Sequence, residues 1–215
     1  MQKKAVILLS GGLDSTTCLA IAKSQGYDCH CISFDYGQKN NIELQLAAKQ
    51  AQLNKVTHYV ISLDPLAFKG SALTEDIAVP QGNLSNKNIP ATYVPARNTI
   101  FLSYALGIAE QINSNDIFIG VNALDYSGYP DCRPEYIKAY ENMANLATKR
   151  AVEGQKLTIH TPLINLTKAE IIKLGKSLDV NYDLTISCYN PVNGKPCKVC
   201  DACLLRQKGF DEANI

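Results

Sequence analysis

Two groups of residues in this chain have the types and spacing to do chemistry. The first is Ser10-Gly11-Gly12-Leu13-Asp14-Ser15, placed directly after the apolar run Ala5-Val6-Ile7-Leu8-Leu9. Glycines carry no Cβ, so the chain can turn tightly there and a ligand can approach the backbone. Asp14 and Ser15 fall where a helix would start, and the unpaired N–H groups and positive dipole end of a helix favour an anion. The hydroxyls of Ser10 and Ser15 can add hydrogen bonds to phosphate oxygens. A plain strand-turn-helix connection is the bland alternative. Six residues in this order, after a buried-strand pattern, favour a phosphate cradle. It is not a Walker A loop: Gly175-Lys176-Ser177 lacks the glycine required five positions earlier, where Glu170 stands. No G-x-G-x-x-G occurs either, which argues against a dinucleotide site.

The second group is Cys188, Cys197, Cys200 and Cys203, a C-x8-C-x2-C-x2-C spacing. Four thiolates can close a tetrahedral zinc site, and the tight C-x2-C steps bring sulfurs within reach of one ion. Gly194 and Pro196 help the chain turn. Four cysteines also suit an iron–sulfur cluster, but ferredoxin-type spacing with its proline is absent, so zinc is the simpler reading. With every position a thiolate there is no open coordination site, and one structural zinc per chain is expected.

Of the eight cysteines, Cys18, Cys29 and Cys31 lie in predicted regular elements and read as small buried hydrophobes. His30, His58 and His160 each sit inside a predicted strand, are not spaced as metal pairs, and receive no role. The balance of 21 Lys plus Arg against 20 Asp plus Glu shows no basic excess of the kind that grips nucleic acid. A small-molecule substrate is expected, with no nucleic acid and no membrane. No run of eighteen apolar residues occurs. The N-terminus enters its first predicted strand within a few residues, leaving no room for a signal peptide, and the cytoplasm is the expected location.

The elements that must position these groups follow an alternating pattern. After the loop, Cys18, Leu19 and Ala22 mark a helix ending at Gly26. Cys29 to Tyr36 reads as a strand, Ile42, Leu46 and Leu53 as a helix face, and Val56 to Ser62 as a strand. This βαβαβ order predicts a parallel doubly wound sheet. Residues 63–92, rich in Pro, Gly and Asn, break the rhythm and read equally as a lid or an exposed connector. Ile100, Phe101, Tyr104, Ala105, Ile108 and Ile112 then predict a helix, Asp116 to Gly120 a fourth strand, and Tyr136, Tyr140, Met143, Ala147 and Ala151 one continuous helix. Leu157 to Leu163 reads as a fifth strand, and Thr167-Lys168-Ala169-Glu170 as a capping box opening another helix. Ligands bind beyond the carboxyl ends of such strands. Ser10–Ser15, Asp35–Gln38, Gly120–Asp125 and Thr161–Lys168 should therefore meet at one cleft.

The first motif resembles the PP-loop (Ser-Gly-Gly-x-Asp-Ser) of the ATP pyrophosphatases. Four further segments narrow the resemblance: Phe34-Asp35-Tyr36-Gly37-Gln38, Val94-Pro95-Ala96-Arg97-Asn98, Asp125-Tyr126-Ser127-Gly128-Tyr129-Pro130-Asp131-Cys132-Arg133, and Cys188-Tyr189-Asn190. Together, nearly end to end, they closely resemble the QueC (ExsB-like) family of 7-cyano-7-deazaguanine synthases. One departure is Lys39-Asn40-Asn41, where that family places a basic residue and then His. Any role of that histidine cannot be carried over to Asn40.

The resemblance implies an α/β, Rossmann-like (adenine nucleotide alpha hydrolase-like) fold: a five-stranded parallel sheet with helices on both faces over residues 1–180, and a small C-terminal four-cysteine zinc-binding region over 181–215. It implies that 7-carboxy-7-deazaguanine and ammonia become the nitrile using ATP with Mg²⁺, releasing AMP and pyrophosphate, and it implies a homodimer. The ATP-binding segment would be Leu9, Ser10, Gly11, Gly12, Leu13, Asp14, Ser15, Thr16, Thr17, Cys18 and Leu19. Lys168 and Arg97 are candidates for stabilising phosphate or carboxylate charge; an exposed first-turn lysine is an equal reading of Lys168. Asp125, Asp131 and Arg133 are candidates for substrate or Mg²⁺ contact, or are ordinary turn residues. Cys132, beside Arg133, reads as a packed or substrate-contacting cysteine rather than a nucleophile. The rival reading is a tRNA-thiolating PP-loop enzyme, and a second is a non-catalytic nucleotide-binding or zinc-scaffold protein.

Overall fold

The structure, a computed structural model, describes residues 2–82, 88–123 and 128–215. The chain alternates strands and helices: β1 (Lys4–Leu8), α1 (Leu13–Ser24), β2 (Asp28–Asp35), α2 (Ile42–Asn54), β3 (Thr57–Ser62), α3 (Arg97–Gln111), β4 (Asp116–Phe118), α4 (Pro134–Ala147), α5 (Lys149–Val152), β5 (Thr158–His160), α6 (Lys168–Ser177) and α7 (Asp201–Ala213). The strands form one sheet in the order β3-β2-β1-β4-β5, every neighbouring pair parallel. This is the α/β, Rossmann-like architecture expected from the sequence. Strand order reverses between β1 and β4, the place where such sheets open a crevice for ligands.

Both faces of the sheet are covered, and the alternation of β1 shows how. Val6 and Leu8 face a core completed by Ile32, Phe34, Leu102, Ala105, Ala109, Ile137 and Tyr140, beneath α3 and α4. Ala5, Ile7 and Leu9 face Cys18, Leu19, Ala22, Cys29, Cys31, Ala47 and Ala51, beneath α1 and α2. Cys18, Cys29 and Cys31 are thus packing residues, and burial raises all three thiols. The far side of α1 packs through Leu13 and Ile21 on Ile171, Ile172, Tyr182 and Ala213, which ties α6 and α7 to the sheet domain.

Several expected faces turn differently. In α2 the buried residues are Ala47, Gln50 and Ala51, and Leu53 is exposed, because close approach of the helix to the sheet needs small side chains. In the fourth long helix the inward stripe is Ile137, Tyr140 and Ala144, with Met143 facing solvent. That helix is also not continuous. Thr148 is extended (φ −108°, ψ 141°), its hydroxyl donates back to Ala144 O at 3.0 Å, and a short α5 follows. β5 is three residues long, although Leu157 and Leu163 on either side are buried.

The irregular segment after β3 is anchored where it is described. Phe68, Ser71, Ala72 and Leu73 are buried, and Gly82 N donates to Val199 O at 2.7 Å. His58 shares a hydrogen bond with Ser33 Oγ at 2.7 Å, and His160 pairs with Asp116 at 2.7 Å. Among the described residues no helix is long and apolar enough to cross a membrane.

Candidate active site

The loop between β1 and α1 is held by its own hydroxyls. Ser10 N donates to Ser15 Oγ at 3.1 Å, the two serine hydroxyls lie 3.0 Å apart, and Ser15 Oγ donates to Gly12 O at 3.2 Å. Gly11 has φ +84°, and a Cβ there would collide with the backbone of α2 at Glu43 O and Ala47 N. Only glycine lets α2 close over the loop. Gly12 is the N-cap of α1 with no side-chain cap, so the first-turn N–H groups of α1 keep their donor capacity for a ligand.

Beyond the strand ends lies a cavity of about 310 Å³. All four polar segments expected to meet there contribute described residues: Ser10, Gly12, Asp14 and Ser15; Tyr36 and Gln38; Gly120 and Asn122; and Lys168. Two aromatic rings of its wall, Phe34 and Phe101, stack at 4.0 Å with 5° between planes, a flat surface suited to a planar heterocycle.

Both cations named from the sequence, Lys168 and Arg97, line this space. The capping box of Thr167 and Glu170 starts α6 and delivers Lys168, whose ammonium donates to Asp14 Oδ1 and Oδ2 at 2.8 and 2.9 Å. Arg97, the first residue of α3, donates from Nη1 to Tyr36 Oη at 3.2 Å. Burial works against its charge, but Tyr36 and Tyr129 outweigh that and hold the guanidinium firmly protonated. Both cations line the cavity with N–H donors of the kind that pairs with phosphate or carboxylate oxygens.

The remaining sequence-predicted residues divide. Leu9 to Ser15 reach the cavity, apart from Gly11. Thr16, Thr17, Cys18 and Leu19 do not line it. Thr17 Oγ1 bonds Leu13 O at 2.9 Å and Tyr182 Oη at 2.8 Å, and Cys18 and Leu19 lie in the core under the sheet. Asp131 is buried but turned away: its Oδ2 accepts from Asn98 N at 2.9 Å and so caps α3. Arg133 is exposed at the N-cap of α4. Their neighbour Cys132 does line the cavity, and burial and the adjacent Asp131 push its thiol up to about 12. That leaves it a neutral thiol rather than a thiolate nucleophile. Asp125 lies outside the described residues.

The four cysteines converge. Their Sγ atoms all lie within 4.8 Å of one another. Tetrahedral zinc with Zn–S bonds of about 2.3 Å requires sulfur separations of about 3.8 Å. Cys197 and Cys203 sulfurs stand 4.0 Å apart, and Cys197 N donates to Cys188 Sγ at 3.2 Å. A turn with positive φ at Asn193 and Gly194 folds the chain between Cys188 and Cys197, and Cys200 is the N-cap of α7. Burial acts to raise Cys197, but the N–H groups of Val199 and Cys200 and neighbouring thiols win and bring it down to about 7. The donor set fits a closed four-thiolate metal centre.

Sequence reasoning assigned no role to several cavity residues. Arg206, three residues past Cys203 on α7, lines the cavity and donates from Nη2 to Tyr182 O at 2.8 Å and from Nη1 to Thr185 Oγ1 at 2.9 Å. Its helical spacing from a ligand cysteine was the one available signal. Glu43, in the first turn of α2, also lines the cavity, as do Tyr129 and Tyr189. The four-cysteine segment thus supplies part of the wall: Ile186, Ser187, Tyr189, Leu205 and Arg206.

Comparison with known proteins agrees with this geometry. The chain is 62% identical over 217 residues to a 7-cyano-7-deazaguanine synthase of Citrifermentans bemidjiense, covering 100% of this chain and 96% of that protein. It is 61% identical over 217 residues to the enzyme of the same name from Cellvibrio japonicus, again covering 100% and 96%. Its fold is similar to that of an NMN synthetase from Francisella tularensis, with a TM-score of 0.54, 18% identity, and coverage of 100% of this chain and 88% of the other. The family model described as "Queuosine biosynthesis protein QueC" matches residues 4–214. With a full-length family match and relatives this similar, the chain belongs to the QueC family.

Proposed function

We propose that this chain is an ATP-dependent ligase that converts 7-carboxy-7-deazaguanine and ammonia to 7-cyano-7-deazaguanine, releasing AMP and pyrophosphate. The observation that carries the reading is the uncapped N-terminus of α1 facing one cavity with Lys168 and Arg97. A carboxylate oxygen is a poor leaving group, and transfer to the α-phosphorus of ATP makes it a good one. The first-turn N–H groups of α1, Ser10, Ser15 and Lys168 bind the β- and γ-phosphates and balance charge as pyrophosphate leaves. Arg97 holds the carboxylate for attack. Ammonia then displaces AMP at the acyl carbon, giving the amide. Activation of the amide oxygen by a second ATP, loss of N–H protons and departure of AMP give the nitrile. Both original carboxylate oxygens leave on AMP.

Mg²⁺ with ATP supplies further neutralisation of phosphate charge, and Asp14 is the carboxylate at the loop suited to it. Cys188, Cys197, Cys200 and Cys203 hold a structural zinc that orders residues 181–215, a unit joined to the nucleotide-binding domain of residues 1–180. The protein acts in the cytoplasm, where eight unbridged cysteines are at home, and it functions as a homodimer. Incubation with ATP, 7-carboxy-7-deazaguanine and ammonium tests the reading: the nitrile, AMP and pyrophosphate are expected. Strict dependence on glutamine in place of ammonium, or consumption of ATP only with tRNA, would overturn it.

A further inference from the structure

Nitrile formation from a carboxylate and ammonium must dispose of N–H protons twice, first from the attacking nitrogen and later from the activated amide. Two carboxylates line the cavity among the described residues, Asp14 and Glu43. Asp14 pairs with Lys168 through both oxygens and is the carboxylate assigned above to the phosphate and Mg²⁺ side of the cavity. Glu43 has no ion-pair partner among the described residues. Its position is fixed from three sides. Its own backbone packs on Gly11 of the phosphate loop. The side-chain amide of Asn40 lies beside its carboxylate, and that amide is tied to the metal-binding segment by a 2.9 Å bond to Cys188 O. Arg97 and Tyr36 face it from α3 and the end of β2. The other charged groups around the cavity are the Asp14–Lys168 pair and Arg206 on α7.

We propose that Glu43 is the acid–base residue of the amidation and dehydration steps: its carboxylate binds ammonium next to the carboxyl group held by Arg97 and takes the proton that frees the nitrogen lone pair. The inference rests on the reaction proposed above. In the first half, one proton passes from ammonium to the Glu43 carboxylate. Glu43 passes that proton to solvent, the nitrogen lone pair attacks the acyl carbon, the bond to AMP oxygen breaks, and the amide nitrogen loses its extra proton to the regenerated carboxylate. In the second half the amide oxygen takes the AMP group of a second ATP and pyrophosphate leaves. The first of the two remaining N–H protons passes to solvent, and Glu43 accepts the last one as the carbon–oxygen bond to AMP breaks and the nitrile forms. Each proton then passes to solvent. Burial pushes the Glu43 carboxyl up to about 7, against the opposing pull of Arg97 and Asn40, so both of its forms are populated at neutral pH. A group so poised is suited to give and take protons.

The test separates the half-reactions. Exchange of labelled pyrophosphate into ATP, with 7-carboxy-7-deazaguanine and no ammonium, reports adenylation alone. Glu43→Gln is expected to keep exchange within about fivefold and to lose ammonium-dependent amide formation by about 10²–10³-fold. Hydroxylamine, largely unprotonated at neutral pH, needs no base to free its nitrogen and is expected to form hydroxamate in the variant within about tenfold of the unsubstituted protein. Retained exchange also demonstrates that the variant is folded. Equal ammonium-dependent rates in the two proteins, or loss of exchange in step with loss of amide, would overturn the assignment to Glu43 alone. Absence of exchange in the unsubstituted protein would overturn the adenylation reading and this inference with it.

Discussion

Gly209 on α7 and Lys168 on α6 touch so closely that a Cβ on the glycine would lie 2.8 Å from Lys168 Cβ. The helix that carries Cys203 therefore presses on the stem of the lysine that reaches Asp14 in the loop after β1. An alanine in a helix is ordinarily better than glycine by about 1 kcal/mol. Here the overlap with a side-chain stem close to its own backbone outweighs that gain. Gly209→Ala is expected to destabilise by about 1–2 kcal/mol and to lower the adenylation rate about tenfold by displacing the ammonium. Lys168→Ala should lower it by about 10²–10³-fold. Pyrophosphate exchange and thermal unfolding measure both, and unchanged exchange in both variants would remove Lys168 from the phosphate site.

Gly11→Ala should be among the most damaging single-methyl changes. The residue would be held at φ +84°, and the new Cβ would meet the backbone at Glu43 O and Ala47 N rather than a movable side chain. A loss of about 2–4 kcal/mol is expected in chemical denaturation. A stable variant that still binds ATP would contradict the close seating of α2 on the loop.

Metal removal should act on the cavity as well as on stability. Cys188 carries the carbonyl that holds Asn40, and Arg206 follows Cys203 on α7. Freshly isolated protein is expected to hold about one zinc per chain. Chelation or Cys200→Ser should release it, lower Tm by about 10 °C and abolish turnover. Full metal content with only three of the four cysteines intact would contradict a four-thiolate centre.

Glu43 gives stability a specific pH dependence. Its carboxyl is raised from an ordinary 4.5 to about 7 in the folded chain. A raised folded value means that its contribution is complete below the unfolded value and is lost as pH rises through about 7. Relative to Glu43→Gln, the unsubstituted protein should lose about 1–2 kcal/mol between pH 5 and pH 8, allowing for solvent screening of a half-buried group. Urea denaturation of both proteins at the two pH values measures the difference. A pH-independent gap would contradict burial of the charge.

The first strand, the tight Gly-Gly turn after it and α1 were legible because a doubly buried parallel strand leaves an unbroken apolar run and Gly-Gly marks a turn with close backbone approach. The cysteine centre was legible from spacing alone. Helix faces were less so. Leu53 satisfied the period of α2 yet faces solvent, because the sheet admits only Ala47 and Ala51 at that distance. In the 3₁₀ turn Pro130–Cys132, which of Asp131 and Cys132 meets the cavity depends on the turn's rotation, and a carboxylate in sequence gives no sign that it will cap α3. Arg206 and Glu43 come to the site through tertiary packing of α7 and α2, so nothing local marks them.

The central claim is that the loop after β1 holds the triphosphate so that a carboxylate attacks the α-phosphorus. Substrate labelled with ¹⁸O in its carboxyl group, turned over with ATP and ammonium, tests this directly by mass analysis of the products. The label is predicted in the phosphoryl group of AMP, with unlabelled pyrophosphate. Label recovered in orthophosphate, with ADP as the nucleotide product, would contradict it.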